Sequence, residues 1–344
     1  MSISSSSASG NARALLAHPG NKGVLLWGIL LIIAIIATGV LALVTGSVPL
    51  TLHQVIEVLA GRADGMATVL VLELRLPRFV AGLLVGASLG LAGQLMQTVT
   101  RNPLASPGIT GVVAGAAMAV VMAQVGWRVD VTWLPAIGVL GGAGAATLAF
   151  LLAARSGFSP LMLALAGMAV TALASALTTA FLLFSGAQAQ HLYTWLAGGL
   201  QGRGWAHVGL ILPWALGGLA LALATARWLN LMHLEDSMAR SLGGAVTLLR
   251  LGFVTLAVAL TAASVAVAGP VGFIGLVAPH LVRLVAGGDQ RQTLPLTTLT
   301  GALLVTLSDL LARTLVAPQE LPLGLFTALI GGPLFIALIR SRMS

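Results

Sequence analysis

With 344 residues, 58% of them hydrophobic and only 8% charged, the chain has a mean hydropathy of +1.02. Soluble domains carry about 25% charge, so a water-soluble fold would have to hide nearly all of this sequence, and the chain belongs in a bilayer. The net charge of +8 does not point to nucleic acid, because the 17 basic residues stand mostly singly between apolar runs; with no cysteine there is no disulfide frame, thiolate metal site or cysteine nucleophile.

Residues 1–23 are polar and Ser-rich, hold Arg13 and the only lysine, Lys22, and read as a flexible cytoplasmic tail. The stretch 24–45 has no charge, is longer than a signal-peptide core and has no small-residue cleavage site close behind it. It reads as a retained membrane helix. Charge-poor runs split at Gly and Pro give ten expected spans: 24–45, 76–99, 107–125, 133–153, 160–184, 205–226, 250–268, 271–286, 293–312 and 322–340. A shorter piece, 191–202, reads as a re-entrant or interfacial helix with Tyr193 and Trp195 at the headgroup level. Ten spans with an inside N-terminus put eleven of the 17 basic residues inside and six outside, and return the C-terminus to the cytoplasm. Arg75, Arg78 and Arg313 fall on the outer side as an anomaly.

Gly82, Gly86 and Gly90 recur every four residues in the second span, and Gly111 and Gly115 repeat the spacing in the third. Lipid supplies no hydrophobic drive between helices, so small residues that admit close backbone approach read as packing surfaces rather than a solute path. Pro270, Pro279, Pro322 and Pro333 predict broken or kinked helices, which are tolerated only against protein or a water-filled cavity.

The polar island 230–249 stands out because no charge lies between Arg203 and Arg227 or between Arg250 and Arg283. It reads either as an ordinary inter-helix loop or as an exposed handle that a partner grips. There is no HExxH, no GxSxG and no glycine-rich loop ending in GK[ST], so no catalytic residue is assigned. Lys22 lies in the tail, so no P-loop lysine exists in this chain. His18, His53, His191, His207, His233 and His280 lack the pairing of a metal site, and no metal ligands are assigned. Only one carboxylate, Asp309, falls within a span, and it lies near an end, which argues against an ion-coupled secondary carrier.

Several motifs then act together. Residues 74–78 read LRLPR, 82–93 GLLVGASLGLAG and 101–107 RNPLASP; farther on come GPVGFIGLVAPHLVR (269–283), LPLTTLTGALLVTLSDLLAR (294–313) and ELPLGLFTALIGGPLF (320–335). This order resembles the transmembrane permease of ABC importers for ferric siderophores, ferric citrate, haem and cobalamin, over about residues 25–341. WLAGGLQGRGW (195–205) and GGDQRQTLP (287–295) look most like the ferric citrate and siderophore members, with cobalamin or haem import as the alternative. The resemblance implies an all-α polytopic permease domain, 24–341, in the bacterial inner membrane. It also implies a homodimer or paralogous heterodimer around a central path, two cytoplasmic ATPase subunits that hold ATP and Mg, and a periplasmic or lipid-anchored binding protein. This chain would itself bind no cofactor and no nucleic acid, and its remaining partner is membrane lipid.

The resemblance maps an ATPase-coupling helix onto 230–249, with Leu234, Glu235, Asp236, Ala239, Arg240, Leu242 and Gly243 at its centre. Family members often have glycine in place of Glu235. It maps binding-protein docking onto Arg75, Arg78 and Arg313, whose alternative role is to anchor helix ends at headgroups. It places the path along the fifth span and the 191–202 helix, with Ser159, Thr171, Ser175, Thr178 and Thr179 as weakly polar lining; each hydroxyl has the alternative of bonding back to its own helix.

Overall fold

The computed structural model describes residues 21–154, 160–186, 189–232 and 246–343. The central residues of the expected coupling helix, Leu234, Glu235, Asp236, Ala239, Arg240, Leu242 and Gly243, lie outside the described residues, as do Ser159 and most of the N-terminal tail. Among the described residues every regular element is helical. In chain order these are α1 (Asn21–Val44), α2 (Leu52–Leu59), α3 (Met66–Thr100), α4 (Val112–Trp127), α5 (Leu134–Ala154), α6 (Pro160–Leu183) and α7 (Ala189–Leu196). They are followed by α8 (Trp205–Ala224), α9 (Ala226–Leu231), α10 (Val246–Ala268), α11 (Ile274–Ala286), α12 (Gln290–Thr314) and α13 (Leu323–Met343).

A helix lies on each of the ten charge-poor stretches. Seven of them (α1, α3, α5, α6, α8, α10 and α12) are long and apolar enough to cross a membrane, while α4, α11 and the apolar part of α13 are shorter. The helices form an inner and an outer set. The most apolar windows of α3, α10 and α12 are 72%, 67% and 67% buried, against 17% in α1 and 28% in α5, α6 and α8. The outer helices therefore turn Ile29, Ile32, Ile33 and Ile36 of α1, and Leu161, Leu165 and Met168 of α6, away from the protein. In water such a surface would be an aggregation liability; in lipid it is the solvent-facing side.

Small residues set the inner packing. A Cβ placed on Gly86 would lie 2.3 Å from the carbonyl oxygen of Gly301, and one on Gly301 would lie 2.2 Å from that of Gly86. At Gly93 it would meet the Gly275 carbonyl at 1.9 Å. These are backbone-to-backbone contacts with no side chain to swing aside, so α3 lies against α12 and α11 at a separation only glycine permits. The packing reading of this glycine row therefore holds, with Gly82 fitting against Leu200 and Thr306.

Two boundaries differ from the sequence expectation. The charge-poor run put the start of the second span at residue 76, but α3 begins at Met66 and passes through a π-helical stretch, Val69–Arg75, before Pro77. Proline removes a donor and its ring clashes with the carbonyl four residues back; the wider turn, in which Leu76 N–H reaches the Val71 carbonyl, relieves both. The Leu72 carbonyl accepts from the Trp205 indole at 2.9 Å, which ties the start of α8 to α3. The third span starts at Val112 rather than 107, because Pro107 and Gly108 lie in a turn and Gly111 takes a φ of 81° at the helix entrance.

Candidate functional site

Three groups of side chains lie along the inner helices. At the end expected to face outward, α1 finishes at Val44 with its last carbonyls lacking helical partners. Arg75 donates through Nη1 to the carbonyls of Leu43 and Val44 and through Nη2 to that of Val48, while Arg313 donates through Nη2 to that of Ala42. Cations at a helix C-terminus also meet the negative end of its dipole. Both arginines are buried, at 6% and 8% exposure, and turn to the protein's own backbone. These contacts tie the end of α1 to α3 and α12, and in this chain neither fork points outward.

Arg78 is different. Its Nε and Nη2 donate to Asp309 at 3.0 and 2.8 Å, and its Nη1 donates to both oxygens of Glu320 at 2.9 and 3.0 Å. The guanidinium thus joins α3, α12 and the segment leading to α13. Glu320 is the more exposed carboxylate of the pair, its side chain 29% accessible against 9% for Asp309. The sequence reading singled out the arginines and missed their partners, although Asp309 and Glu320 stand in two of the motifs quoted above, SDLLAR and ELPLG.

Farther along lies a cavity of about 440 Å³. Thr171, Ser175, Thr178 and Thr179 of α6 line it, together with the turn at Ser106–Pro107–Gly108 and the interruption between α10 and α11. The structure therefore brings together the four described members of the expected path. Thr178 donates to the Ala174 carbonyl at 2.7 Å and Thr179 to that of Ser175 at 3.0 Å, so these two hydroxyls are bonded back into α6. The wall is consequently mostly apolar with weak polarity. Across from α6, residues 269–273 leave helical geometry, and Phe273 takes a left-handed φ of 65° before α11 starts. Non-helical backbone at membrane depth needs protein or a water-lined space beside it, and this break borders the cavity.

At the opposite end, Asn230 in α9 donates through Nδ2 to Asp289 Oδ1 at 2.9 Å and accepts through Oδ1 from the Gln290 N–H at 2.8 Å. Gln290 in turn accepts at Oε1 from Gln94 Nε2 at 2.9 Å. Arg101, at the end of α3, donates through Nε to the Met232 carbonyl at 2.6 Å. The sequence reading recognised the island beginning at Asn230 by its charge but had no signal for these roots, because amide pairs between distant segments leave no periodic trace.

The geometry accords with comparisons to known proteins. The FecCD transport family matches residues 30–341. The Fe(3+) dicitrate transport system permease protein FecC of Escherichia coli K12 is 38% identical over 330 residues, covering 94% of this chain and 98% of the relative. The Fe(3+) dicitrate transport system permease protein FecD of the same organism is 42% identical over 273 residues, covering 79% and 85%. Among solved structures, a metal-chelate type ABC transporter in an inward-facing conformation superposes with a TM-score of 0.79 at 32% identity, covering 91% of this chain and 98% of that one. A break between α10 and α11 beside a weakly polar cavity, an interlocked α3–α12 core and an end-to-end match to permeases lead to one assignment: the chain belongs to the FecCD transport family.

Proposed function

We propose that this chain is the inner-membrane permease subunit of a binding-protein-dependent ABC importer whose cargo is a ferric siderophore or ferric citrate. The observation that carries the proposal is the likeness to FecC, a permease of an Fe(3+) dicitrate transport system, over 98% of its length. All ten stretches cross the bilayer in this reading, with both termini in the cytoplasm. Two permease chains, identical or paralogous, enclose the path; two ATPase subunits carry ATP and Mg; and a binding protein delivers the chelate outside. The chain's only lysine is Lys22, in the first turn of α1 and outside any glycine-rich loop, so in this reading the driving force comes from the partner.

The physical steps follow from the three groups. A mostly apolar wall on which the Thr178 and Thr179 hydroxyls are bonded back into α6 offers a bulky chelate a surface with few strong individual contacts, so passage need not pause at a tight site. The segment 230–249 docks in the ATPase, and closure of the ATPase pair rocks the permease halves as rigid bodies. At the outer end, Arg75 and Arg313 hold the end of α1 against α3 and α12, and the platform so fixed presents Arg78 with its carboxylates to the binding protein. The test is uptake in proteoliposomes holding the permease, its ATPase and its binding protein, challenged with ferric citrate, ferric hydroxamates, ferric catecholates, haem and cobalamin. Uptake of an iron chelate supports the reading; uptake of cobalamin or haem alone refutes the cargo assignment.

A further inference from the structure

We infer that Asn230 and Arg101 are positioning residues that fasten the root of the 230–249 segment to α12 and α3, so that a pull on the segment moves those two helices directly. The inference rests on the reading that the ATPase grips this segment. Asn230 faces the first turn of α12 with both ends of its amide: Nδ2 donates to Asp289, the residue that caps that helix, and Oδ1 accepts from the Gln290 N–H. Asp289 Oδ1 also accepts from the Arg291 N–H at 3.0 Å, so one carboxylate oxygen serves both the helix cap and the clamp. Behind it, Gln290, Gln94 and Thr293 form a polar knot no more than 1% exposed, linking α12 to α3. The root is also seated by packing. Leu229 is fully buried beside Leu95, Val99 and Phe253, and Met232 packs with Val246 at the far side of the segment, holding its two ends together.

Arg101 supplies an independent observation. It closes α3 with a φ of 50°, the left-handed conformation glycine adopts at helix ends, while Asn102 N–H reaches back to the Gln97 carbonyl. A long side chain at this position strains the backbone where glycine would not. Its Nε nevertheless holds the carbonyl of Met232, two residues beyond Asn230 at the root of the segment. The side chain thus does at the root something glycine could not do. From that root α12 runs on through the Gly86–Gly301 contact to Asp309, the partner of Arg78. Both helices are locked together along the way, so the root and the outer ion pair belong to one rigid body.

The chain has no cysteine, so A239C in the full transporter gives a single attachment point for a cross-linker. Cross-linking of A239C to the ATPase checks the docking reading first; its absence, with labelling of A239C from outside, would overturn that reading and this inference together. Given cross-linking, N230D sets two carboxylates against each other at the clamp. It should keep the cross-link and ATP hydrolysis while chelate moved per ATP falls about three- to fivefold, the scale of losing one solvent-accessible hydrogen bond. D289N alone keeps at Oδ1 an acceptor for both Asn230 and the Arg291 N–H and should move chelate per ATP like wild type. R101G relaxes the backbone and removes the anchor, so its melting temperature should hold or rise while transport per ATP falls. Wild-type transport per ATP in both N230D and R101G, or a loss in D289N as large as that in N230D, would overturn the inference. If N230D fails to assemble, R101G decides alone: unchanged coupling refutes the anchor.

Discussion

Replacing Gly301 by alanine tests the interlocked core most sharply. The added methyl would sit 2.2 Å from the Gly86 carbonyl oxygen and 3.1 Å from the Gly90 Cα. Comfortable carbon contacts begin at about 3.5 Å, so α3 and α12 must part by roughly 1 Å at their crossing, which forfeits a quarter to a half of each local dispersion well. Overpacking of this kind costs about 1–3 kcal/mol. Alanine is also a better helix former than glycine by about 1 kcal/mol, so the net loss is about 0–2 kcal/mol, and the comparison must be made against a glycine that gains propensity without a clash. Gly217 on α8 serves, since a methyl there meets nothing within 4 Å. Thermal denaturation in detergent, followed by the tryptophan signal, should place G301A several degrees below G217A, and G86A/G301A lower still. Equal melting of G301A and G217A would refute the claim that backbone contact sets this packing.

The other predictions concern the outer cluster and the cavity. R78A strands Asp309, only 6% exposed, and should destabilise the protein by about 3–5 kcal/mol, measured by the same melting assay. E320Q should cost less than about 1 kcal/mol, because the side chain is partly solvated and keeps a neutral acceptor for Arg78. In binding measurements at low salt, E320Q, which leaves Arg78 less neutralised, should strengthen capture of a binding protein that presents carboxylates while leaving ATPase assembly intact; unchanged affinity would count against the docking platform. At the cavity, T178V should transport like wild type, since the hydroxyl is spent on the Ala174 carbonyl, whereas S175W should block uptake without loss of assembly by filling the space.

The sequence revealed the helices well because one physical rule dominates. A charge in hydrocarbon is costly, so Arg101, Arg203, Arg227 and Arg250 fall at helix ends and bracket the spans between them. Gly86 and Gly90 were legible as a packing face because helical period alone puts them on one side. The extension of α3 back to Met66 was not, since Glu73 and Arg75 end the charge-poor run there, while the helix continues through them as a π-helical stretch. Nor could the sequence tell which partners each arginine takes. Arg75 and Arg78 are three residues apart in one motif, yet one caps the end of α1 and the other pairs with carboxylates more than 230 positions away. Asn230, Asp289 and Gln94 are likewise joined only by the fold.

The central claim is that this permease has no engine of its own and is driven through the cytoplasmic segment between α9 and α10. Chelate uptake into proteoliposomes, measured with the ATPase and ATP present and again with either withheld, tests it most directly. Uptake should require both and stop when ATP is replaced by a non-hydrolysable analogue; accumulation driven by a proton or sodium gradient, with no ATPase in the vesicles, would contradict it.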